Sequence, residues 1–181
     1  MHHAEMFKKC LQKLNTLSAI CVHSYTVLRT LEKVIDVMAD TYKVNIDEVP
    51  AQPDLGPDAG WVGMTVQFLI DAMNGGSEHF VFGRARFAPG QSEHQWHRHE
   101  NAEEFAYITK GEGIVLDGDN EIPVKAGDIA FHKKGEWHGF RNTSDTVEAE
   151  MIWGWAGAAS KSEAGYELRY PDRTPGHTHE H

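Results

Sequence analysis

The spacing of hydrophobic residues changes along the chain from a helical period to the alternation of β-strands. Between Met6 and Tyr42, apolar side chains recur at steps of three and four residues, which predicts amphipathic helices. From Met64 onward, apolar side chains alternate with polar or small ones, which predicts strands. A segment rich in Pro, Asp and Gly separates the two patterns. The chain is therefore predicted to comprise an N-terminal α-helical extension over 1–45, an all-β domain over 46–160 and a partly mobile C-terminal tail over 161–181.

Short strand-like runs continue to about residue 155 and are separated by turn sequences. The turns combine Gly with Asp, Asn or Lys, as in Asp117-Gly118-Asp119-Asn120. Such a succession of short strands and Gly-rich turns is typical of an all-β sandwich or barrel. The runs lie at 64–70, 80–87, 104–109, 113–116, 122–124, 128–132, 138–141 and 147–155.

Composition and charge narrow the class of partner. Lys and Arg number 17 against 27 Asp and Glu, so the formal net charge is −10. An acidic chain is a poor match for nucleic acid or for an anionic membrane surface. No apolar run reaches the roughly 20 residues that span a bilayer, and no secretory signal pattern is seen at Met1. Cys10 and Cys21 make no disulfide framework, so we expect a reduced, cytoplasmic protein.

The number and spacing of the histidines indicate a metal-binding site. The chain has 12 histidines, and His97 and His99 lie two apart on a predicted strand, where their side chains point to the same face. Glu104 begins the next strand-like run, and His138 begins a later one. Three imidazoles and one carboxylate suit Fe, Mn, Co, Ni or Zn and leave open positions on an octahedral ion. The pattern therefore predicts one divalent metal per chain.

Two glycine-bounded motifs contain these four residues. The first motif runs Gly90-(six residues)-His97-Arg98-His99-(four)-Glu104-(six)-Gly111. The second motif runs Gly127-(five)-Lys133-Lys134-Gly135-(two)-His138-(three)-Asn142. Fifteen residues separate the two motifs. Together they resemble the motifs of the small cupins, over about 62–157. The resemblance implies a single jelly-roll β-barrel in which His97, His99, Glu104 and His138 are the metal ligands.

The motifs depart from the cupin pattern at two places. In addition, the predicted carboxylate ligand, Glu104, directly follows a second glutamate, Glu103. One extra residue lies between Gly90 and His97, and Lys133 stands where the family usually has proline. Glu103 competes with Glu104 as the carboxylate ligand. Both the spacing to Gly111 and the parity of the predicted strand favour Glu104.

Other residues are predicted to form the walls of a substrate pocket. Their types are aromatic or able to hydrogen-bond, and a guanidinium facing inward would bind a carboxylate or enolate oxygen. The set is Arg86, Trp96, His132, Phe140 and Trp153. His94 is excluded, because an odd separation from His97 places it on the opposite strand face.

The resemblance does not select one reaction, because cupins support many chemistries. The first hypothesis is an Fe(II) dioxygenase, an oxidoreductase acting on a small aromatic, keto or enol(ate) substrate bound at the metal. The alternatives are a non-redox isomerase, cyclase or lyase using Zn, Mn or Ni, and a non-catalytic small-ligand-binding cupin. We expect a homodimer, since small cupins often pair, and a small-molecule substrate rather than a nucleic acid or membrane as the partner.

Overall fold

The computed structural model describes residues 41–52 and 55–172. Two short 3-10 helices, Ile46–Glu48 and Pro57–Ala59, precede the first strand. The strands are β1 (Trp61–Val62), β2 (Met64–Ile70), β3 (Phe80–Phe87), β4 (Glu93–His99), β5 (Glu103–Lys110), β6 (Glu112–Asp117), β7 (Asn120–Lys125), β8 (Ile129–His132), β9 (His138–Arg141), β10 (Ala149–Ala156) and β11 (Tyr166–Leu168), with one helical turn, α1 (Lys161–Ala164), before β11. Apart from residues 41 and 42, the predicted N-terminal helices fall outside the described residues. No helix in the described part is long and apolar enough to cross a bilayer.

The strands form two antiparallel sheets. One sheet has the order β1-β4-β9-β6-β7, with β11 also paired to β4, and the other has the order β2-β3-β10-β5-β8. No strand pairing joins one sheet to the other among the described residues, so the expectation of a closed barrel is wrong and the all-β expectation holds. Pro123 lies in the outer strand β7, and a residue without an amide hydrogen is typical of a sheet edge.

The inner faces of the two sheets form one core. Side chains alternate between buried and half-buried along β3, and Val81, Ala85 and Phe87 point inward. Trp153 on β10 packs against Phe68 with ring centroids 5.1 Å apart. Gly83 allows this packing, since a Cβ there would lie 2.5 Å from the Trp153 ring. Burial of each large side chain contributes roughly 1.5–3 kcal/mol.

The start of the predicted tail is part of the fold. Ser160 caps α1 by accepting a hydrogen bond from the Glu163 amide, and Gly165 ends it in the left-handed conformation at φ 74°. Tyr166 and Leu168 of β11 then pair with His99 and His97 of β4. A short C-terminal strand therefore lies directly beside the strand that carries two of the predicted ligands.

Candidate metal centre

Three strands from both sheets bring the four predicted ligands together. His97 and His99 come from β4, and His138 comes from β9 at the position paired with His97. Glu104 comes from β5 in the opposite sheet. One nitrogen from each imidazole and one carboxylate oxygen all lie within 4.8 Å of one another, and all four residues are buried. This cluster could hold a metal ion between the two sheets.

The orientation of the imidazoles fits metal binding. Nδ1 of His97 donates to the Gln95 carbonyl at 2.8 Å, and Nδ1 of His138 donates to the Glu136 carbonyl at 2.9 Å. A neutral imidazole that donates through Nδ1 carries its lone pair on Nε2, which is the form that binds a metal.

The distances within the cluster give a second test of fit. From Glu104 Oε2, the Nε2 atoms of His97, His99 and His138 lie at 3.8, 2.9 and 3.3 Å. The Nε2 atoms of His97 and His99 are fully buried and make no hydrogen bond within the described part of the chain. Buried polar atoms are rarely left without a partner. A cation between these converging nitrogens would satisfy them.

The carboxylate is held from the opposite side by an indole. Trp155 Nε1 on β10 donates a hydrogen bond of 2.7 Å to Glu104 Oε2, and both side chains are buried. A hydrogen bond to a charged acceptor is shorter and stronger than one between neutral groups. Trp155 therefore fixes the orientation of the carboxylate. Glu103, the competing carboxylate, pairs with Ala156 on the other strand face and lies outside the cluster.

Burial and mutual attraction set the charge states in the cluster. Burial, with repulsion from His138, lowers the pKa of His97 to about 3, so this imidazole is neutral. Burial acts to raise the pKa of Glu104, but His138 and the other imidazoles hold it well below its ordinary value. Burial likewise acts to lower the pKa of His138, and the Glu104 carboxylate raises it above the ordinary value. The Glu104 carboxylate thus favours the protonated form of His138 when no cation is bound, and a cation would compete with that proton.

The extra residue of the first motif forms a β-bulge. The β4–β9 register pairs His94 with Phe140 but His97 with His138, so β4 advances three residues where β9 advances two. One inserted residue reverses the side-chain alternation. His94 therefore faces the cavity and stacks on His97 with ring centroids 3.8 Å apart. The expectation that His94 lies on the opposite face is wrong.

A tyrosine from the C-terminal strand covers the back of the histidine cluster. The Tyr166 hydroxyl donates to the Ala59 carbonyl at 2.7 Å and lies 3.3 Å from His94 Nε2. Its ring centroid is 5.1 Å from that of His97. Burial raises the pKa of the Tyr166 phenol, which stays neutral. Sequence reasoning missed this role; the available signal was the alternation of Tyr166 and Leu168 within the tail.

A narrow cavity of about 30 Å³ adjoins the ligand cluster, which is room for one or two water molecules. Three of the residues predicted as walls of a substrate pocket, His132, Phe140 and Trp153, line this cavity, and their contact with a substrate stays a prediction. Its lining residues are Trp61, Met64, Val66, Ala85, Phe87, His94, His97, Glu104, Ala106, Val115, His132, His138, Gly139, Phe140, Met151, Trp153 and Trp155.

Two predicted pocket residues are not part of this lining. Arg86 alternates with the inward-facing Ala85 and Phe87 on β3, so it points away from the core. Trp96 lies on the outer face of β4, where its Nε1 donates to the Gly118 carbonyl at 3.0 Å. Both residues follow the ordinary period of two along a strand.

His132 contributes a further imidazole to the cavity wall. Its ring stacks on that of His138, with centroids 4.3 Å apart and an interplanar angle of 8°. Burial, with repulsion from His138, lowers the pKa of His132 to about 4, so the ring is neutral near pH 7.

Known proteins share this fold and parts of this sequence. A curated relative, the oxalate-binding protein of Thermotoga maritima, is 41% identical over 66 residues, which are 36% of this chain and 54% of the relative. The aligned region thus spans about half the length of that relative. A solved structure from Thermotoga maritima, a predicted oxalate decarboxylase, matches with a TM-score of 0.56 and 27% identity, covering 63% of this chain and 97% of the other.

A second solved structure shows the same fold at lower identity. The polyketide cyclase RemF from Streptomyces resistomycificus matches with a TM-score of 0.55 and 24% identity, covering 64% of this chain and 79% of the other. The family model for the cupin domain matches residues 83–155, which include all four clustered residues. The chain therefore contains a cupin domain over residues 83–155.

Proposed function

We propose that this chain is a metal-dependent enzyme that binds a small oxygen-rich acid beside a cation held by His97, His99, Glu104 and His138. The observation that carries the proposal is the convergence of four buried ligand atoms within 4.8 Å at the wall of a cavity. Three neutral imidazoles and one carboxylate suit Fe, Mn, Co, Ni or Zn. Such a cation supplies Lewis-acid polarisation of a bound carbonyl or carboxylate and, when it is iron, the capacity for redox chemistry with dioxygen.

The chain's own residues prepare the site for an anionic substrate. The backbone carbonyls of Gln95 and Glu136 orient two of the imidazoles, and Trp155 orients the carboxylate. One carboxylate only partly neutralises a dication, which leaves a net charge of about +1 that attracts an acid or an enolate. The apolar remainder of the cavity excludes water from the reacting atoms.

The small cavity and the relatives support an acid as the substrate class. A cavity of about 30 Å³ holds only one or two water molecules, so it excludes a long substrate, and even a small acid requires the cavity walls to move apart. One relative is named an oxalate-binding protein, and a similar solved structure is described as a predicted oxalate decarboxylase. We therefore propose a small carboxylic, keto or enolic acid that presents adjacent oxygen atoms.

Two reaction types remain as proposals for this site. The first is the Fe(II) dioxygenase expected from the sequence, which consumes dioxygen as it cleaves or oxidises the substrate. The second is non-redox lyase or isomerase chemistry, and the relative described as a predicted oxalate decarboxylase favours this one. The two differ in a measurable quantity, the dioxygen consumed per substrate converted.

Elemental analysis of protein purified without oxygen tests the metal site. We expect about one cation per chain in the wild type and in His79→Ala, a matched control because His79 is exposed. We expect loss of the cation in His97→Ala. Full metal content in His97→Ala would refute the site.

Calorimetry and an oxygen electrode then separate the reactions. We expect the metal-loaded wild type to bind oxalate, used here as a probe of the acid class. Dioxygen uptake matching the conversion of a small keto or aromatic acid would support the dioxygenase, and conversion without uptake would support the lyase or isomerase. Binding without any conversion would support the ligand-binding alternative.

We further propose a cytoplasmic homodimer that pairs through the outer face of the five-stranded sheet. Tyr107, Ile129 and Phe131 are 40%, 69% and 57% exposed there, and Tyr107 lies directly opposite Ile129 across β5 and β8. Contiguous exposed apolar side chains on an edge strand are typical of an interaction surface. A second copy is the simplest partner, because a two-fold axis brings the same patch against itself.

A further inference from the structure

Two imidazoles line the cavity without belonging to the ligand cluster, and they differ in their bonding. His94 has a polar partner, since its Nε2 lies 3.3 Å from the Tyr166 hydroxyl. His132 is 6% exposed, and its ring nitrogens form no hydrogen bond with any described residue. The ring nitrogens of His132 are not among the fully buried polar atoms that lack a partner, so they are open to solvent or to a molecule in the cavity that His132 lines.

The position of His132 brings it beside the metal ligands. It is the last residue of β8 and pairs with Glu104 across the β5–β8 ladder, so the two side chains share the inner face. Its ring is parallel to that of His138, 4.3 Å away. This stacking fixes the plane in which the ring nitrogens of His132 point.

The rest of the cavity offers few polar groups to a substrate. Apart from the clustered ligands, the two other histidines and the tryptophan indoles, the lining is aliphatic, aromatic or glycine. Of the indoles, that of Trp155 already donates to Glu104, whereas those of Trp61 and Trp153 have no acceptor among the described residues. Of the lining groups without a hydrogen-bond partner in the described part, His132 is the one whose ring stacks on a ligand, His138. An acid with two oxygen-bearing groups would thus meet the cation at one end and His132 nearby.

We infer that His132 is a specificity-determining residue that hydrogen-bonds the second oxygen-bearing group of the acid bound beside Glu104 and His138. The inference rests on the proposed function and names its substrate class more closely, as a small acid with two oxygen-bearing groups. It needs a hydrogen bond only, and no proton transfer. An imidazole in this place selects oxalate over acetate, which has no second group to bind.

Calorimetric titration of the metal-loaded protein tests the inference, with oxalate and acetate as probes and metal content measured for every sample. His132→Phe keeps the stacking and removes the nitrogens, so we expect oxalate binding to weaken by roughly 10- to 100-fold. Acetate binding should change little. His132→Gln, which restores an amide hydrogen-bonding group, should recover part of the loss, and the exposed control His79→Phe should bind oxalate as the wild type does.

The outcomes separate this inference from the proposed function. Unchanged oxalate affinity in metal-replete His132→Phe would overturn the role of His132 and leave the proposed function standing. Loss of metal in that variant would also overturn it, because His132 would then support the ligands rather than the substrate. Absence of oxalate binding by the metal-loaded wild type would overturn the proposed acid class and the inference together. If His132→Phe does not fold, His132→Leu provides the same comparison.

Discussion

The hydrogen bond from Trp155 to Glu104 allows a sharp test of how the protein holds its carboxylate. The change is Trp155→Phe, which removes the indole N–H that lies 2.7 Å from Oε2 and keeps an aromatic ring. Both residues are buried, at 3% and 8% exposure. A buried hydrogen bond to a charged group contributes about 1.5–3 kcal/mol. Removal of a partner behind a metal ligand typically weakens metal binding by about 10- to 100-fold.

The chain supplies a matched control two residues earlier on the same strand. Trp153→Phe removes the same atoms from a buried indole, but Trp153 Nε1 has no hydrogen-bond acceptor among the described residues. Both variants lose similar packing, so their difference isolates the hydrogen bond. We expect chelator competition to give a metal affinity roughly 10- to 100-fold weaker in Trp155→Phe than in Trp153→Phe. Equal metal affinities in the two variants would refute the reasoning.

Three further predictions follow from the packing of the sheets. Glu104→Gln should weaken metal binding by more than about tenfold in the same chelator assay, while Glu103→Gln should not; the reverse order would move the ligand by one residue. Phe131→Asp places a charge in the exposed patch and should convert the proposed dimer to a monomer in light scattering, and an unchanged dimer mass would exclude this face. Gly83→Ala would put a Cβ 2.5 Å from the Gln67 carbonyl and the Trp153 ring, and should lower the melting temperature by roughly 4–8 °C for a cost of about 2 kcal/mol. Gly56→Ala, with open space around its Cβ, is the control, and equal melting temperatures would show that the core adjusts freely.

Local periodicity explains why much of the fold could be predicted. The strands over 64–70, 80–87 and 138–141 have the predicted bounds, because alternation depends only on neighbouring residues. The same rule placed His97 and His99 on one face and favoured Glu104 over Glu103. The resemblance of the two glycine-bounded motifs to those of the cupins then connected these residues with His138.

The same rule failed where one residue interrupts the alternation or where a contact is distant in sequence. The extra residue before His97 was visible, but only the β4–β9 register shows that it forms a bulge and turns His94 inward. The sequence could not tell which parity of β3 faces the core, so Arg86 was assigned to the wrong side. Trp155 meets Glu104 across 51 residues, and no local pattern encodes such a pair.

The sequence by itself determined the all-β class and the approximate positions of eight of the eleven described strands, because these depend on period. It also grouped three histidines with a glutamate, because their spacing resembles that of the cupin motifs. The tertiary structure alone decided that the strands form two sheets rather than a closed barrel, that Tyr166 lies behind the ligands and that His132 lacks a protein partner in the described part. These features depend on which surfaces meet when the sheets pack. Packing is set by the whole set of buried side chains, and a single chain segment does not contain that information.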